Sequence, residues 1–99
     1  MEITLLHVAD CPNLGLARDR VTQAAEQAGL VVRVHERLVS DLAEVAGLGF
    51  TGSPTILIDG ADPFATADTI PSVSCRLYAT DDGVQGAPSI EDLVKVLKR

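Results

Sequence analysis

The residues of this chain best suited to covalent chemistry are its two cysteines, Cys11 and Cys75, and a proline flanked by hydroxyls, Ser53-Pro54-Thr55. Cys11 ends an apolar run and is bracketed by Asp10 and Pro12. Proline suits the first position of a helix, where its missing N–H leaves no bond unmade. The order therefore predicts Cys11 at a helix N-cap, its sulfur facing the free amides of Asn13 and Leu14 and the positive end of the helix dipole. Both favour thiolate over thiol, and the thiolate is the nucleophile. Asp10 opposes this, since a neighbouring carboxylate disfavours a second negative charge. The position is also open to a plain reading, a small cap residue with no chemistry.

The other candidates carry the same two readings. Cys75 is a second thiol or a buried strand residue, the common fate of a free cysteine. Pro54 shapes a substrate loop or simply opens a strand. Asp10 and Asn13 steer a substrate or serve the turn. His7 is a base or a sheet-end histidine, and Arg76 pairs with a carboxylate or faces water. His7, Cys11, His35 and Cys75 are scattered, with no close ligand pair of the C-x-x-C or H-x-x-x-H kind, so no metal site is expected.

These residues need elements to hold them. Ile3–Val8 reads as a central strand buried on both faces. Ala17, Val21, Ala24, Ala25 and Ala28 form a helical stripe that Gly29 ends, so a helix is expected over about 12–29. Leu30–Val34 reads as a second strand, parallel to the first across a βαβ connection. Ser40 is placed to cap a short second helix bearing Leu42, Val45 and Ala46. Thr55–Ile58 is a third strand, ended by the hairpin pair Asp59-Gly60. An irregular excursion, Ala61–Ser74, precedes a strand at Cys75–Ala79 and a turn at Asp82-Gly83. Ser89 and Asp92 then open a last helix that buries Ile90, Leu93, Val94 and Leu97.

With the elements in this order the chain resembles the thioredoxin-like superfamily. The residues that carry the likeness are the strand Ile3–Val8, Cys11-Pro12-Asn13-Leu14 where thioredoxins have C-x-x-C, and Ser53-Pro54-Thr55 at their cis-proline loop. It is similar to small bacterial thioredoxin-like proteins with D-C-P-N, G-S-P-T and S-C-R-L-Y segments, some labelled alkylmercury-lyase-like. Here those segments are Asp10–Asn13, Gly52–Thr55 and Ser74–Tyr78. The resemblance implies an α/β fold with a mixed four-stranded sheet, order 2-1-3-4, flanked by about three helices. Strand three would be antiparallel, with a cis Pro54 facing Cys11. One departure matters: Leu14 replaces the second cysteine of C-x-x-C, so no dithiol cycle can close within the motif.

The expectation is a thiol-dependent thioredoxin-like protein. Cys11 would be the nucleophile, supported by Asp10, Pro12 and Asn13, with Ser53, Pro54 and Thr55 as the substrate loop and Cys75 as a resolving thiol. Its partner would be a protein or small-molecule thiol or disulfide, or a soft electrophile. Mercury or organomercurial handling is a variant, since soft metals prefer thiolates. The competing class is a binding or dimerisation module in which Cys11 is structural. No cofactor is called for.

Composition narrows the field. The 99 residues make one small domain, 1–99, with 46% hydrophobic residues and only 3% aromatics, so the core must be aliphatic. A net charge of −6 with no basic cluster excludes the usual nucleic-acid and anionic-membrane binders. No run approaches the roughly 18 apolar residues of a membrane span. Glu2 stands where a signal peptide would be basic, which makes the cytoplasm the expected location.

Overall fold

The computed structural model describes residues 1–39, 51–64 and 72–99, with Thr51 and Ser72–Cys75 described by their backbone alone. Strand β1, Glu2–His7, lies in the middle of a three-stranded sheet. Its apolar run alternates between two packed faces. Ile3 and Leu5 join Ile56, Val21, Ala24, Leu93 and Leu97 in the main core, while Leu6 packs on the other face with Val39, Val8 and Leu57. Helix α1, Leu14–Ala28, buries Ala17, Val21, Ala24 and Ala25. It ends where Gly29 turns left-handed at φ 70° and its amide reaches back to Ala25 and Glu26, the termination expected of a glycine there.

Strand β2, Arg33–Leu38, pairs parallel with β1, from Glu2 opposite Arg33 to His7 opposite Leu38. It begins three residues later than the valine-rich stretch suggested. Leu30–Val32 are spent on the way from the helix end to the start of β1, and Val31 is 92% exposed. The short strands β3, Thr51–Ser53, and β4, Thr55–Ile58, are separated by the cis Ser53–Pro54 bond. Strand β4 pairs antiparallel with β1, giving the order β2-β1-β4. Asp59 and Gly60, both at positive φ, close a two-residue turn back to Ala61, as an Asp-Gly pair predicts.

The chain then departs from the expected fold. No fourth strand extends this sheet among the described residues. The stretch read as one strand, Cys75–Ala79, is two. Strand β5, Ser72–Cys75, pairs parallel with β3, and β6, Tyr78–Thr80, pairs antiparallel with β7, Gly83–Gln85. The break falls at Arg76-Leu77. The Arg76 amide still bonds to Ser53 O (3.0 Å), but its side chain is taken by Asp62, and the two-residue turn at Asp81-Asp82 folds β6 onto β7. The four-stranded sheet of order 2-1-3-4 with three helices is therefore replaced by a three-stranded mixed sheet, two two-stranded ladders and two helices among the described residues. The expected helix opening at Ser40 lies outside the described residues, as does half of the excursion Ala61–Ser74, residues 65–71.

Helix α2, Ile90–Leu97, forms as its sequence dictates. Ser89 Oγ accepts from the Asp92 amide (3.1 Å), Glu91 and Asp92 sit in the first turn, and Leu93 and Leu97 are buried. Its partly buried Ile90 and Val94 pack, like β2's Val34, against the main core, on the same sheet face as α1. None of the described helices is long and apolar enough to cross a membrane.

Candidate functional site around Cys11 and the Pro54 loop

Cys11 follows β1 by a turn in which Asp10 takes a left-handed φ of 55°. The thiol is free and half-buried. It is not the N-cap. The helix starts two residues later than expected, with Asn13 in that role, and Pro12 precedes the helix instead of opening it. Cys11 contributes its carbonyl, which accepts from the Leu14 amide (3.4 Å), and Asn13 O takes the first intrahelical bond, from Ala17 (3.0 Å). The Asn13 carboxamide makes no cap bond and lies across Gly86, where a Cβ would come within 2.2 Å of Asn13 Cγ. Arg20 secures the same crossing by donating to Ala87 O (3.1 Å) and Pro88 O (3.3 Å). The first turn of α1 therefore carries no acidic residue and no side-chain cap, leaving the positive end of its dipole beside the Cys11 turn.

The Pro54 loop is tied down from three sides. The Val8 amide, just beyond β1, donates to Ser53 Oγ (3.1 Å). The Arg76 amide donates to Ser53 O, and the Tyr78 hydroxyl donates to Pro54 O (2.6 Å). Thr55 Oγ1 donates to Gly52 O (2.5 Å). Gly52 has φ 124° and lies against Arg76, whose Cβ would be 2.8 Å from any Cβ placed on residue 52, so the strand crossing there admits only glycine. Ser53, Pro54 and Thr55 are all buried. Their polar groups hold the loop together.

Beneath the loop lies a cluster that sequence reasoning missed. Arg76 Nη1 bonds to Asp62 Oδ2 (2.5 Å) with both side chains almost fully buried, at 10% and 8% exposure. The guanidinium lies 4.7 Å from the centre of the Tyr78 ring, and Phe64 meets that ring edge-on at 5.6 Å. Burial pushes the Tyr78 phenol well above its ordinary value, with Arg76 opposing and Asp62 adding. Of the two readings of Arg76, the paired one holds. The only hint was an acid near the start of the excursion and a base just beyond its end.

The sequence candidates are thus gathered unequally. Cys11, Val8 and the Pro54 loop share the C-terminal end of β1. Cys75 stands opposite Ser53 in the β3–β5 ladder, so its backbone borders the same loop. His7 donates Nδ1–H to Val8 O (3.1 Å). His35 pairs instead with Glu2 on the exposed strand β2. Among the described residues no three His, Cys, Asp or Glu side chains group as metal ligands. No protein-family model, curated protein or solved structure matches the chain.

Proposed function

We propose that the protein works through Cys11 as a reactive thiolate, by thiol–disulfide exchange or by capture of a soft electrophile. The observation that supports this is a free, half-buried thiol in the turn between the central strand and α1, whose first turn is neither capped by a side chain nor carries a carboxylate. Partial exposure admits a small reagent, and the positive end of a helix suits an anionic sulfur. The buried, cross-tied Pro54 loop keeps that turn in place through Val8. Disulfides, or carbon and soft-metal electrophiles, are the chemical classes a lone thiolate attacks. A reducing cytoplasm is the compartment that keeps such a thiol free.

The test compares the two single-cysteine proteins, Cys75→Ser and Cys11→Ser, in alkylation by iodoacetamide at pH 7. Cys11 is expected to react on the order of tenfold faster than Cys75, because its partly exposed sulfur lies in the turn at the positive end of α1. Equal rates would leave Cys11 as a structural residue.

A further inference from the structure

The fold brings the backbone of the second cysteine to the loop that is hydrogen-bonded to the end of the strand leading to the first. Cys75 ends β5 and stands in register with Ser53. The next amide, that of Arg76, bonds to Ser53 O. On its other side Ser53 receives the Val8 amide at Oγ. Three residues beyond Val8 is Cys11. Two hydrogen-bonded steps across one buried residue therefore link the strand of Cys75 to the strand that delivers Cys11, although the two lie far apart in sequence. Leu14 cannot supply a second thiol from within the Cys11 turn. The end of β5 can.

We propose that Cys75 is the resolving thiol of Cys11, so that the protein reduces a low-molecular-weight disulfide and stores the result as an internal Cys11–Cys75 disulfide. This rests on the reading of Cys11 as a nucleophile. The Cys11 thiolate attacks one sulfur of the disulfide RSSR; a Cys11–SR bond forms, the S–S bond breaks, and RS⁻ leaves and takes a proton from water. Cys75 then loses its proton to solvent and its thiolate attacks the Cys11 sulfur, expelling the second RS⁻. The protein loses two electrons and two protons, and RSSR becomes two RSH. A protein or small-molecule thiol returns the pair to the reduced state by the reverse exchange. Bridging needs the two Cα atoms within about 7 Å.

The experiment treats the reduced full-length chain with oxidised glutathione at low protein concentration and reads intact mass and linked peptides over time. The wild type is expected to pass through a single glutathione adduct on Cys11 and end two hydrogens lighter, with the Cys11 and Cys75 peptides joined. Cys75→Ser and Cys75→Ala are expected to stop at the stable Cys11 adduct, and two replacements guard against one that misfolds. A wild type that keeps the Cys11 adduct as long as the Cys75 variants do, or that forms only intermolecular dimers, overturns the resolving role while leaving the nucleophile intact. Failure of Cys11 to form the adduct faster than Cys75 in either single-cysteine protein overturns the nucleophile, and the resolving role falls with it.

Discussion

At the scale of single residues, Arg76 and Asp62 show how a small aliphatic core accommodates charge. Taking either ion from water is costly, and their attraction offsets the cost only while both are present with good geometry. Here the pair is closed by a 2.5 Å bond and the guanidinium rests on the Tyr78 ring. Removing one partner takes a close counter-charge from the other while it stays buried. Asp62→Ala is therefore expected to cost about 3–5 kcal/mol of stability, measured by urea unfolding. Asp62→Ala combined with Arg76→Leu is expected to cost less than Asp62→Ala alone, since contacting residues couple and the buried cation is removed with its carboxylate. Additive losses would mean that the two side chains act independently.

Among the elements, those set by local chemistry were legible and those set by competition between distant partners were not. Ser89 with Asp92, Gly29, and Asp59-Gly60 each fix their own turn or cap through groups a few residues apart, and each forms where its sequence placed it. The start of α1 lies later than its proline suggested, and its N-cap Asn13 packs its side chain against Gly86, a contact no local pattern reveals. The strand at Cys75–Ala79 split for the same kind of reason, its Arg76 being drawn to Asp62 across the excursion. The meeting of the end of β1 with Ser53 was legible as a candidate because a cysteine, a proline and a glycine-rich loop are unusual in type; the buried cluster under it was not, because Tyr, Arg and Asp are ordinary. Gly52 joins the two levels. Its φ of 124° and the 2.8 Å approach to Arg76 Cβ leave no room for a side chain. Gly52→Ala is expected to destabilise by more than about 1 kcal/mol and, by shifting the loop off Val8, to slow the iodoacetamide reaction of Cys11. The same loss of stability with an unchanged Cys11 rate would show that the loop supports the fold without setting the thiol.

For the whole molecule, the loop, the ion pair and the small ladders are joined through one side chain, and alkaline pH is a way to pull on it. Tyr78 is the only tyrosine and there is no tryptophan, so phenolate absorbance reports on this residue alone. Its ring is 5% exposed as a residue, its hydroxyl donates to Pro54 O, and burial holds the phenol un-ionised well above its usual range. In the unfolded chain it ionises near pH 10. The folded protein therefore keeps a proton that the unfolded chain releases. Its contribution is fully present below about pH 10 and is lost as pH rises toward the folded value, by up to about 1.4 kcal/mol per pH unit. Phenolate absorbance is expected to rise together with the loss of helical circular dichroism in the native protein, and near pH 10, ahead of any such coupling, in concentrated urea. Other groups also titrate in this range, so the slope is taken against Tyr78→Phe. That variant is expected to start less stable by about 1–3 kcal/mol, because Pro54 O loses its buried donor, and to fall less steeply with pH. Phenolate appearing near pH 10 while the circular dichroism is unchanged would show that the Tyr78 hydroxyl meets water in the folded state, and the Pro54 loop would then be held without it.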